Sequence, residues 1–455
     1  MRRTAGGDVH PEGLVVPDPE LIAAAPGTSG RRATHLRGDK LMAIRVVAGF
    51  GAARAVPGVL TLVRVPVWLL LYGPANYALY SLFWATALIG TSLTGGWLRQ
   101  AILRHSGGTG PQYEDVAPRT RLLVEATALL AIVPLALLIG PDAGRPVDRA
   151  VLLVAAAASL VLTSGYSVAQ TFLQRDGRST RYAVAELVRV GGALVVSVIL
   201  AVAGQFTSWA LVLATAAGTA GALVIARSSD PAVGRARVPA AAVLAAHWRY
   251  GWPMSIWLTV SGGLIYLDRF VLTELYGLDR AGHYAAAADL GVRGMGMFVT
   301  PLVMFLHPAF MRRWNAGDEL ASLRTWRRAT ALLTAGTAVV AAVCFGCYLL
   351  FADQLIADPI AAGTFAVLLT GGSLWQLAQM VHKPLEAMDR TTTMLGLLIV
   401  SLSVTCLIDV ALASALGELG VAVAFTVGAS TYVALSAVVG RRAVRAHLAN
   451  GSALR

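Results

Sequence analysis

The chain has 455 residues, of which 56% are hydrophobic and 14% charged, and it carries a formal net charge of +12. A soluble chain of this length needs far more charge to cover its surface, so the composition points to a polytopic α-helical membrane protein. The basic residues are scattered as a topology signal is, which argues against nucleic-acid binding.

Residues 1–40 are rich in Pro, Gly, Ala and Arg and contain no apolar run long enough for a signal peptide. They read as a disordered basic cytoplasmic tail, with Arg31, Arg32, Arg37 and Lys40 set just before the membrane. Twelve apolar runs follow, each near the roughly 20 residues that cross a bilayer. They cover 46–71, 77–101, 121–140, 150–172, 182–203, 208–226, 250–275, 281–309, 328–351, 359–381, 392–412 and 419–439. The expected division is an N-lobe over 41–226, a cytoplasmic linker over 227–249, a C-lobe over 250–440 and a tail over 441–455.

The two halves echo each other. An ungapped offset of 204 residues (275 − 71) lays Leu71, Tyr72, Gly73 and Tyr80 on Leu275, Tyr276, Gly277 and Tyr284. Loop charges set the orientation. Arg104, Arg119, Arg175, Arg178, Arg235, Arg237, Arg312, Arg313, Lys383 and Arg390 lie after even-numbered spans, whereas the alternate loops hold only Arg145, Arg149 and Arg280. Both termini are therefore expected in the cytoplasm, with a parallel repeat and a substrate site between the lobes. Pro57 and Pro66 in span 1, Pro134 in span 3, Pro253 in span 7, and Pro301 and Pro308 in span 8 are the expected bend points.

No P-loop, H-E-x-x-H or G-x-S-x-G pattern occurs, and Cys344, Cys347 and Cys406 all lie in apolar runs. The sequence thus assigns no catalytic residue, metal or cofactor. It does place charge at membrane depth, which is costly and usually functional. Arg54 and Arg64 lie in span 1, Asp268 and Arg269 in span 7, and Asp289 and Arg293 in span 8. Glu186 and Arg189 share one face of span 5, while Glu125 and Asp409 are lone acids in spans 3 and 11. Asp289 precedes Arg293 by four residues, the favourable order for pairing, whereas adjacent Asp268 and Arg269 diverge by about 100° on a helix. Arginine donates two parallel hydrogen bonds and stays charged, so Arg54, Arg64, Arg269 and Arg293 suit a pyrophosphate. Asp268 and Asp289 would then tune those arginines or bind a coupling cation. Glu186 with Arg189 reads first as a packing pair.

Three segments carry a family resemblance. LYGPANYALYSLFWA (71–85), YLDRFVLTELYGLDRAGHYAAAADL (266–290) and GELGVAVAFTVGASTY (417–432) resemble segments of polysaccharide exporters and lipid-linked oligosaccharide flippases (Wzx-like). These proteins belong to the multidrug/oligosaccharidyl-lipid/polysaccharide exporter superfamily. The resemblance implies two pseudo-symmetric six-helix lobes in a V with alternating access. It also implies a polyprenyl-pyrophosphate-linked glycan as cargo, held by Arg54, Arg64, Arg269 and Arg293. Membrane lipids and glycan polymerase or ligase machinery would be its partners. Ala78 departs from the pattern, standing where the first-half turn often has glycine. A cation-coupled multidrug exporter is the alternative expectation; a membrane-embedded glycan polymerase or ligase and a transport-dead scaffold are further ones.

Overall fold

A computed structural model describes residues 29–104, 118–138, 146–227, 240–356 and 358–453. The chain divides into two units, Met1–Val46 and Val47–Arg455, and the second holds the cavities and charge clusters described below. Backbone polar groups have no water to bond within a bilayer, so each span must be helical. Helices occur in order at all twelve predicted spans. They are α1 (29–72), α2 (74–104), α3 (118–138), α4 (Pro146–Arg175), α5 (Ser179–Val202), α6 (Ser208–Arg227), α7 (240–276), α8 (278–315), α9 (Glu319–Leu355), α10 (Ala362–Val381), α11 (Thr391–Leu416) and α12 (Glu418–Ala453). Among the described residues, eight continuous helical stretches are long and apolar enough to cross a membrane; two of these, 48 and 51 residues long, run across the α1–α2 and α7–α8 turns.

Side-chain exposure fits lipid as the solvent. Val202 is 85% exposed and Val410 83%, while Trp68, Tyr77, Tyr80, Tyr284 and Tyr432 are fully buried. The chain is an all-α polytopic membrane protein. In its first half α6 packs on both α4 and α5; in its second, α12 packs on α10 and α11, and α11 on α7.

The repeat has a backbone signature. Gly73 turns α1 into α2 at φ 77°, ψ 165°, and Gly277 turns α7 into α8 at φ 80°, ψ 176°. That region is open essentially to glycine alone. A side chain would meet nothing within 4 Å at either position, so torsion and not space demands glycine there.

The structure shifts several expected boundaries. Helix α1 begins at Ser29, inside the stretch expected as a tail, and residues 1–28 lie outside the described ones. Helix α7 begins at Ala240, inside the expected linker, and α12 runs on to Ala453. Hydropathy marks only the apolar window, whereas Ala and Arg are good helix formers and carry the helix past it. Among the described residues, the departures from regular α-helix fall elsewhere than at the expected prolines, save for a 3₁₀ turn that ends three residues before Pro134. They are Gly73, Gly277, a 3₁₀ turn at Ala128–Ala131 and a π turn at Asp289–Arg293.

Candidate functional site

The π turn of α8 builds a buried charge cluster against α7 and α2. Asp289 accepts from Arg269 Nη2 at 2.6 Å through Oδ1 and from the Tyr77 hydroxyl at 2.7 Å through Oδ2. Arg293 Nε lies 3.0 Å from the same Oδ1. Arg269 also donates to Ser81 Oγ through Nη1, and Asp268 accepts from the Arg269 backbone N–H at 2.8 Å. The Tyr266 ring lies 4.7 Å from the Arg269 guanidinium and 5.4 Å from that of Arg293. Asp268, Arg269 and Asp289 are each at most 5% exposed. Charges buried this deeply persist only when paired and hydrogen-bonded, and Asp289 serves two arginines at once. The pairing is nonetheless incomplete. Among the described residues, Arg293 Nη2 is buried with no hydrogen-bond partner.

Arg293 is where this cluster meets a cavity of about 380 Å³ lined by α1, α2, α4, α5, α6 and α8. Among the described residues, three arginines line it, Arg99, Arg189 and Arg293, against one carboxylate, Glu186. Glu186 is already engaged, by Arg189 Nη2 at 2.8 Å, by the Tyr166 hydroxyl at 2.8 Å and by Gln170. Arg99 has no ion pair or hydrogen bond among the described residues. The remaining wall is rich in hydroxyls (Thr61, Thr91, Thr163, Ser167, Thr219) and includes the Trp84 ring. Such a chamber can receive an anion at the arginines and a hydroxylated group along its wall. A second feature stands apart from it. Asp409, on α11, is 3% exposed, neither of its carboxylate oxygens has a partner among the described residues, and it lies within electrostatic reach of Asp268.

Residues 70–357 match the family model described as "Polysaccharide biosynthesis protein", well over half of the chain. The chain belongs to the polysaccharide biosynthesis protein family. No curated protein matches it by sequence. Its fold is shared by solved transporter structures at low identity. One, described as the inward-facing conformation of a multidrug resistance MATE family transporter of the MOP superfamily, superimposes with a TM-score of 0.60 at 15% identity. That alignment covers 87% of this chain and 98% of the other. An outward-facing MATE structure gives a TM-score of 0.58 at 15% identity, covering 89% and 95%. A MOP superfamily transporter from Pyrococcus furiosus, described as having a reverse polarity of its binding pocket, gives 0.61 at 15% identity, covering 89% and 95%.

In this member of the polysaccharide biosynthesis family, the expected site residues fall into three groups. Arg269, Arg293, Asp268 and Asp289 come together in the cluster, and Arg293 alone of these also lines the cavity. Glu186 and Arg189 form their pair and line the cavity as well. Arg64 does not join them: it is 6% exposed, stacks 4.4 Å from the Trp68 ring and is absent from the cavity wall. The Arg54 side chain lies outside the described residues. Sequence reasoning missed Tyr77, Ser81 and Arg99. The offset that pairs Tyr80 with Tyr284 did highlight the α2 segment holding the first two, but it gave no partner for them.

Proposed function

We propose that this protein exports a polyprenyl-pyrophosphate-linked oligosaccharide, or a related polysaccharide precursor, across the cytoplasmic membrane by alternating access, with both termini in the cytoplasm. The observation that carries the reading is the unpaired Arg99 sharing a hydroxyl-rich cavity with the unsatisfied Nη2 of Arg293. A bound pyrophosphate would supply acceptors that either guanidinium lacks, and such charge-assisted bonds are the strong ones. Membership of a polysaccharide biosynthesis family supports a glycan cargo, and the transporter fold supports movement of it. A cavity of about 380 Å³ suits a pyrophosphate with its first sugars. A longer glycan would require the halves to part. The Arg269–Asp289–Arg293 cluster would hold Arg293 in place and moderate its charge while the cavity is empty.

A cation-coupled multidrug exporter is the second reading, and the observation that favours it is Asp409. A buried carboxylate without partners, close to Asp268, is suited to taking up a cation. Against drug export of organic cations stands the excess of arginine over carboxylate in the cavity wall.

The test is flipping of a fluorescent polyprenyl-pyrophosphate oligosaccharide in proteoliposomes. Arg99→Gln is the informative variant, because removing an unpaired buried cation leaves no orphaned partner and should not unfold the protein. Flipping by the wild type, reduced about tenfold or more in Arg99→Gln at equal protein level, is the expected result. Absence of flipping by the wild type, with ion-driven efflux of organic cations in its place, sinks this reading and promotes the second.

A further inference from the structure

A larger cavity, of about 920 Å³, lies between α9 and α12 and shares no residue with the one described above. Its wall comes from single faces of the two helices. On α9 the lining residues recur at one-turn spacing, from Leu320 through Arg324 and Arg327 to Thr334. On α12 they run from Arg445 and Arg441 to Gly440 and Ala437, with Val381 at the end of α10 and Pro384 just beyond it as the floor. Arg324 and Arg327 lie near the start of α9, and Arg441 and Arg445 near the end of α12, so all four arginines crowd one mouth. All four are exposed, and no Asp or Glu lines the cavity among the described residues. The carboxylate nearest along the chain, Glu319, is bonded instead to His447 at 2.8 Å, which ties α9 to α12 beside the mouth. Deeper in, the wall is uncharged: Thr330, Ala331, Thr334, Ala437 and Gly440.

We propose that this groove is a binding site for an anionic phospholipid of the leaflet on the arginine-rich side of the membrane. The occupant follows from the order of chemistry along the groove. Charge sits only at the mouth, where a phosphate headgroup lies, and the small and apolar wall begins within about 10 Å of it, at 1.5 Å per helical residue. A soluble anion would use the mouth and leave the deeper wall empty. A phospholipid fills both, and basic pockets between membrane helices are a known class of headgroup site. Zwitterionic lipid gains less, because its own cation opposes four guanidiniums that have no carboxylate among them. The proposal stands on the groove alone and is independent of what the arginine-lined cavity carries.

The experiment uses the full chain in mixed micelles, with native mass spectrometry counting retained lipid. The probes are phosphatidylglycerol and phosphatidylcholine with identical acyl chains, each with and without millimolar inorganic phosphate. Arg324→Gln/Arg327→Gln/Arg441→Gln/Arg445→Gln removes the mouth. Arg328→Gln/Arg442→Gln is the control, because these exposed neighbours do not line the groove, and it is compared also with the charge-matched Arg324→Gln/Arg441→Gln. The expected result is about tenfold preferential retention of phosphatidylglycerol by the wild type and the control, lost in the fourfold variant. Equal retention of the two lipids overturns the proposal, as does equal loss in control and fourfold variant, which would mean undirected surface charge. Displacement of the lipid by inorganic phosphate alone overturns it too, and assigns the mouth to a soluble anion.

Discussion

Tyr77 and Asp289, 212 residues apart in the chain, are joined by a 2.7 Å hydrogen bond that crosses from the first half to the second. Beside it Arg269 reaches back to Ser81, so the second-half charge cluster is anchored on α2 by two bonds one helical turn apart. Removing the Tyr77 hydroxyl leaves Asp289 its two arginines, and Tyr77→Phe should cost about 1 kcal/mol. Asp289→Asn leaves both guanidiniums without their shared counter-charge and should cost about 3–5 kcal/mol. Because the two residues touch, the double variant should fall short of the sum by at least about 0.5 kcal/mol. Unfolding in one fixed detergent measures all three, and strict additivity would show that the bond does not couple the halves.

The turns at Gly73 and Gly277 give a test of the repeat in the backbone itself. Both glycines sit in a torsional region that other residues avoid, with open space around them. Alanine at either site should therefore cost a similar amount, about 1–3 kcal/mol, through torsion alone. Asparagine, which often rescues left-handed helical positions, should do no better, since ψ of 165° and 176° lies outside the left-handed helical well. Thermal unfolding of the four single variants decides it. Rescue by asparagine would mean that the turn relaxes into an ordinary left-handed one.

Much of this architecture was open to reading in the sequence, because membrane spans and repeats leave one-dimensional signals. The pairs Glu186–Arg189 and Asp289–Arg293 were legible since each lies within one helix at a spacing of three or four residues. The pairing of Arg269 with Asp289 was not, because helical periodicity says nothing about partners on different helices. Arg99 was hidden for another reason. It stands near Arg104 at the end of a span, where positive charge is expected for topology alone. Tyr77 was masked likewise, as an aromatic residue near a span end reads as an interface anchor. Arg64 stands in a different setting. Its depth in span 1 suggested a ligand contact, whereas the structure gives its guanidinium the Trp68 ring as a neighbour.

That contrast separates two arginines by experiment. Arg64, stacked on Trp68 outside the cavity wall, should tolerate Lys at about 1 kcal/mol of stability and little change in ligand affinity, since a cation over an indole is retained. Arg99 lines the cavity, and Arg99→Gln should weaken binding of a pyrophosphate-bearing ligand by about tenfold or more while leaving stability unchanged or improved. Titration calorimetry with a short-chain polyprenyl pyrophosphate, paired with melting curves, reads both quantities. Equal affinity losses in the two variants would refute the assignment.

The halves meet at both ends of α2, and each meeting depends on a glycine. At the start of α2, a side chain on Gly282 of α8 would fall 2.1 Å from the Pro74 carbonyl oxygen. Near its other end, a side chain on Gly251 of α7 would fall 2.2 Å from the Trp97 carbonyl oxygen. The obstacle in each case is backbone, which cannot turn aside as a side chain can, so alanine must push the helices apart at that end. The repeat-related position of Gly282 is Ala78 (282 − 204), so glycine is required on only one side of this pairing. If transport alternates between openings at the two ends, the two substitutions should act in opposite directions. Gly282→Ala should favour the form open at the Gly73 and Gly277 turns, and Gly251→Ala the form open at the arginine-rich end. A destabilisation of about 1.4 kcal/mol at one contact shifts such an equilibrium about tenfold. Introduced cysteines near each contact, labelled with a membrane-impermeant maleimide from either side, report the population directly. Opposite changes in labelling support a closure at each end, and changes in the same direction would mean that both contacts are structural and do not gate.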